Sequence, residues 1–151
     1  MAEYVYPAIA SWKGERDAKH LAIHAIAQID IMAEVVLNHL KANGVEPADT
    51  RAGPFREKLR MREPMLGYAS DAHDSHKHGR LNAQTRPISQ GQRPETVKKA
   101  KLFPETMHRK PPYVIITSTI IVLNDGTELP VERMVVEGVE AWERELIRLN
   151  L

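Results

Sequence analysis

The chain contains no cysteine. That removes disulfides, cysteine-based zinc knuckles, iron–sulfur clusters and thiol nucleophiles, and leaves any metal to His, Asp and Glu ligands. Aromatic residues are scarce: two Trp, two Phe and four Tyr in 151 residues. Only Phe103 and Tyr113 flank the most basic part of the sequence, a thin platform for base stacking. No uninterrupted apolar run reaches the roughly 18 to 20 residues of a membrane span. The opening MAEYVYPAIASWKGERDAKH lacks the basic-then-apolar order of a secretory leader. A cytoplasmic protein with no membrane partner is therefore expected. Neither a phosphate-cradling Gly-x-x-x-x-Gly-Lys or Gly-x-Gly-x-x-Gly loop nor a Gly-x-Ser-x-Gly elbow is present. Thr117, Ser118 and Thr119 read as strand residues rather than nucleophiles.

What is present is the balance of one globular domain spanning residues 1–151, 42% hydrophobic and 27% charged, long enough to bury a core unaided. Ile26, Ile29, Ala33, Val36 and Leu40 recur at spacings of three and four, predicting a helix over about 14–43 with a stop at Asn43-Gly44. Pro54 suits the first turn of a second helix, over 54–62. Pro64 either kinks that helix or starts a third, running over 64–79. "YVIITSTIIVLNDGTELPV" predicts a hairpin over 113–131, because Asp-Gly between β-branched runs is a strong turn signal. Val135, Val139, Trp142, Leu146 and Leu149 mark an amphipathic helix over 132–149. The expected fold is α+β, mainly α: an antiparallel helical bundle with a β-hairpin and a C-terminal amphipathic helix. The seams of its first and last helices exceed what one small bundle buries, which predicts a homodimer.

Residues 80–112 break this pattern and read as a basic arm, either with a short helix begun at Pro94 or as a long ordered arm or partly disordered loop. From Lys77 to Lys110 there are nine Lys or Arg against Glu95 and Glu105, a local +7. The rest of the chain then carries −6, since the net charge is +1. Such asymmetry points to an acidic partner, either a protein surface or nucleic acid. The candidate binding residues are Arg80, Arg86, Arg93, Lys98, Lys99, Lys101, Arg109 and Lys110. The bland alternative is that this segment folds back on the acidic body of its own chain or of a second copy.

The stretch DAHDSHKH, Asp71 to His78, packs three histidines and two aspartates into a helix end. His20 and His24 share a helical face, as do Asp74 and His78. If the two helices were neighbours, His20, His24, Asp74 and His78 would form a ligand set for Zn, Fe or Mn. Against this, carboxylate bundle sites draw a glutamate from several helices, and no Glu-x-x-His occurs. His76, Lys77 and His78 also fit a helix C-terminus, where cations oppose the dipole. Asp71 and Asp74 would then balance them, and His78 would bond the first helix, leaving a satisfied polar helix end and no required metal.

This stretch resembles a segment of small uncharacterised bacterial proteins of HEPN-like helical-bundle architecture. Their helix end follows a D-x-A-x-x-x-x-K-H-x-x-L pattern, compared here with Asp71, Ala72, Lys77, His78 and Leu81, after Pro64 and Leu66; Asp71 stands directly before Ala72. The resemblance extends to the long apolar first helix and to the closing hairpin with its Trp-containing helix, about two thirds of the chain. It implies a bundle that often dimerises and, in active members, cleaves RNA. Active members carry Arg, a polar residue, then four to six residues and His; Arg16 stands too close to His20, and with Asp17 it reaches His24 only at the six-residue limit of that spacing.

Three functions follow. The favoured one is a non-enzymatic binding module whose basic arm engages an acidic protein surface or nucleic acid. The second is a metal-dependent enzyme. The third is a ribonuclease with a displaced basic residue, in which His73, His76 or His78 acts as general acid or base and Arg80 steadies the phosphate.

Overall fold

The computed structural model describes residues 1, 3, 5–15, 18–45, 51–78, 87–88, 95–102 and 113–151. Among them are five helices and three strands: α1 (Val5–Gly14), α2 (Lys19–Ala42), α3 (Ala52–Arg62), α4 (Pro64–His78), β1 (Glu95–Leu102), β2 (Tyr113–Val122), β3 (Glu128–Pro130) and α5 (Val131–Arg148). The α+β, mainly helical class is as expected.

α2 is the central element, packed against α1, α3, α4 and α5. Its predicted seam of Ile26, Ile29, Ala33, Val36 and Leu40 is wholly buried. By length and composition α2 would pass for a membrane span, contrary to the reading of uninterrupted runs, and half of the qualifying window is buried inside the fold. It ends as the sequence predicts. Gly44 takes φ 67°, and Val45 N–H bonds Leu40 O at 3.0 Å while Gly44 N–H bonds Lys41 O at 3.1 Å. This is the paired-bond stop that a left-handed glycine permits.

The helix expected over 14–43 begins later, at Lys19, and a further helix that the sequence reading did not expect stands before it. α1 precedes α2 and inserts Val5, Ile9 and Trp12 into the same core. With Trp142 and Val135 also buried, the seams of the first and last helices are filled largely by the chain's own elements.

Pro64 starts a helix rather than kinking one. Glu63 closes α3, its N–H bonding Leu59 O at 2.8 Å, and its own carbonyl accepts from Leu66 N–H at 3.0 Å. A proline at the first helical position loses no bond there. Arg144 of α5 then holds the Glu63 carboxylate at both oxygens, at 3.0 and 2.6 Å, tying the α3–α4 corner to the last helix.

The basic arm is the main correction. Residues 95–102 form strand β1, not a helix, and pair antiparallel with β2 from Glu95↔Ile120 to Leu102↔Tyr113. The sheet order is β1-β2-β3, so the predicted hairpin gains a third strand. The β2–β3 turn is the expected one: Gly126 takes φ 84°, and Asp125 Oδ1 accepts from Thr127 N–H at 2.8 Å. β3 is three residues long and ends at Pro130, which leads directly into α5.

Candidate functional site

Two features could carry function: a polar seam among α2, α3 and α4, and the basic ribbon β1–β2. The seam begins with one misfit residue. Asp30 lies within the apolar run of α2, and its side chain is 2% exposed. A carboxylate there must be paired, because burying an isolated charge costs many kcal/mol. His73 of α4 supplies one partner, with Nδ1 2.9 Å from Asp30 Oδ2. Arg56 of α3 supplies another, with Nη2 3.4 Å from the same oxygen and 3.2 Å from Glu34 Oε1. Burial opposes ionisation of Asp30, but the His73 bond and the Arg56 charge outweigh it and hold the carboxyl below its ordinary range. An ionised acceptor requires the proton to sit on His73 Nδ1, which leaves Nε2 as the outer nitrogen.

One turn along α3, Arg60 Nη1 approaches Asp71 Oδ1 at 2.5 Å, and Nη2 approaches Ser70 Oγ at 3.3 Å. Asp71 is fully buried. Arg56 and Arg60 are four apart and share one side of α3, Arg56 reaching α2 and Arg60 reaching α4. Gly67 makes room for this. A Cβ at Gly67 would sit 2.7 Å from Arg60 Cγ. Arg60, Pro64, Gly67, Tyr68, Asp71 and Pro87 line a cleft of about 130 Å³.

The predicted ligand set is not assembled. Among the described residues, the group of His and carboxylate donors close enough to share an ion is Asp30, His73 and Asp74. Asp74 belongs to both sets, whereas His20, His24 and His78 are exposed and stand outside this group. His24 Nε2 instead meets the Gln28 amide at 3.1 Å. Asp71 does not simply balance the helix end either. It turns inward to Arg60, and it is His73, not His78, that bonds α2. His76, Lys77 and His78 do occupy the last turn of α4, exposed.

Sequence reasoning missed Asp30, Arg56 and Arg60. Asp30 carried a signal, a lone carboxylate within QIDIM on the buried stripe. Arg56 and Arg60 carried none, because an exposed helix face shows the same pattern.

In the ribbon, Lys98 and Lys99 are exposed, and Lys99 pairs with Glu128 of β3. Lys101 belongs to β1. Arg80, Arg86, Arg93, Arg109 and Lys110 lie outside the described residues, Arg80 being also the residue expected to steady a phosphate. No family model, curated protein or solved structure matches the chain.

Proposed function

We propose that the protein is a nucleic-acid-binding module that works through the basic β1–β2 ribbon. The observation that carries this reading is that Lys98, Lys99 and Lys101 lie on a strand paired along its whole length with β2, not on an irregular arm. Consecutive residues of a strand point to opposite faces. Lys98 therefore offers a cation on one face of the ribbon, while Lys99, on the other, is shared with Glu128. Eight strand residues extend about 26 Å, and a two-stranded ribbon has the width that the major groove of a duplex admits. Phosphate contacts from lysines supply affinity, while the scarcity of aromatics argues against a single-strand stacking platform. Ribonuclease chemistry is less favoured, since His73 is engaged by Asp30 and His24 by Gln28.

The test is fluorescence anisotropy with a labelled duplex over about 50 to 200 mM salt. Log affinity should fall linearly with log salt, and Lys98→Glu should weaken binding and reduce the slope by about one. Lys98→Glu leaves the helical core untouched, so its thermal midpoint should stay at the wild-type value. Duplex binding that ignores salt, or that Lys98→Glu leaves unchanged, sinks the proposal. Salt-sensitive binding to polyglutamate but not to the duplex would replace nucleic acid with an acidic protein partner.

A further inference from the structure

We propose that Asp30, His73 and Asp74 form a binding site for a first-row divalent cation, independent of the ribbon. One ligand atom from each lies within 4.8 Å of the other two. The donors come from two helices: Asp30 from the middle of α2, His73 and Asp74 from consecutive positions of α4. Both helices are anchored by buried residues on either side of the donors, Ile29 and Ala33 on α2, Ala72 and Ser75 on α4. The donors are therefore held on rigid elements rather than on loops.

The spacing suits coordination. His73 Nδ1 and Asp30 Oδ2 are 2.9 Å apart. Two metal bonds of about 2.1 Å place their donors about 3.0 Å apart at the right angle of an octahedral site and about 3.4 Å apart at zinc's tetrahedral angle, so the pair opens by a few tenths of an ångström to take zinc. For Nδ1 to ligate the ion, the neutral imidazole moves its single proton from Nδ1 to Nε2, so the ring enters the site as its other tautomer. One imidazole and two carboxylates are a mixed nitrogen and oxygen set suited to zinc, iron or manganese. Three protein donors leave the remaining positions to water, the arrangement of an open site rather than a closed structural one.

Arg56 is the feature that opposes the ion and also makes the proposal testable. Its guanidinium lies 3.4 Å from the Asp30 oxygen, so an arriving cation must displace or outcompete it. Glu34 offers Arg56 a second carboxylate at 3.2 Å, so the arginine keeps a partner when it yields Asp30. Asp74 has an interaction of its own in the ion-free protein. As a half-buried side chain it exchanges that contact for the ion. The site is thus built with a competing internal cation, which sets its affinity below that of an unopposed triad.

The experiment is calorimetric titration of the chelator-stripped full chain with ZnCl2, repeated with MnCl2. One equivalent of Zn2+ should bind, and Mn2+ more weakly, in the order expected for such ligands. His73→Ala and Asp74→Asn should each weaken Zn2+ at least about tenfold. Arg56→Gln should tighten it, a gain that loss of fold cannot produce. His76→Ala, on the exposed last turn, should bind as the wild type does. Circular dichroism of each variant checks that the helices persist. Absence of saturable one-to-one binding overturns the site. So does Zn2+ affinity that His76→Ala lowers as much as His73→Ala, or that Arg56→Gln fails to raise.

Discussion

Arg60 Nη1 lies 2.5 Å from Asp71 Oδ1 across the α3–α4 interface, with the arginine side chain 17% exposed and the aspartate 1%. Removing one member of such a pair leaves the other charged and desolvated. Arg60→Met should therefore lower unfolding free energy by about 3 kcal/mol, read from urea midpoints at neutral pH. A loss below about 1 kcal/mol would place the pair among surface ion pairs, where such small values are usual.

Gly67 stands where that arginine passes. A methyl group there would meet Arg60 Cγ at 2.7 Å, near the root of the side chain rather than its flexible end. Gly67→Ala should destabilise by about 1 to 2 kcal/mol despite the better helix propensity of alanine. In an Arg60→Ala background the obstructing atom is gone and the same change should turn neutral or stabilising. A double-mutant cycle measures that reversal directly.

The two tryptophans separate burial from hydrogen bonding. Trp142 Nε1 donates to Ile29 O at 2.8 Å, joining α5 to α2, whereas buried Trp12 Nε1 has no hydrogen-bond partner among the described residues. Both rings are almost completely enclosed. Replacement by Phe removes similar volume at each, so Trp142→Phe should cost about 1 kcal/mol more than Trp12→Phe. Equal losses in chemical denaturation would mean that the Ile29 bond adds nothing.

The parts of this fold that were legible in the sequence are those with strong periodicity. α2 and α5 showed their seams, and Asn124-Asp125-Gly126 showed its turn, because those patterns follow local geometry. β1 was not legible because it is an edge strand. Natural edges carry lysines that deter pairing with other chains, and those lysines read as a solvated arm. α1 was hidden by its shortness and by Pro7, tolerated within its first turn. The polar seam is a tertiary product. Asp30 was visible as a misfit, but its partner His73 lies 43 residues away, and only the packing of α4 on α2 brings them together.

Glu145 gives the acid response. It is buried on α5 and held by Arg62 at 2.9 and 3.0 Å and by Arg148 at 2.9 and 2.7 Å. Burial works against its charge, but the bonds from Arg62 and Arg148 outweigh it, and its carboxyl titrates below the ordinary 4.5. A lowered folded value means that the unfolded chain binds the proton first as pH falls. The stabilisation is complete above the unfolded value and is lost on descending through the folded one. Glu145→Gln should therefore be less stable than wild type by a constant margin above about pH 5, and that margin should shrink below it. Thermal midpoints of the two proteins from neutral pH to pH 3 supply the comparison. A margin that widened on acidification would reverse the sign, and would mean that the arginines do not hold this carboxylate in its charged form.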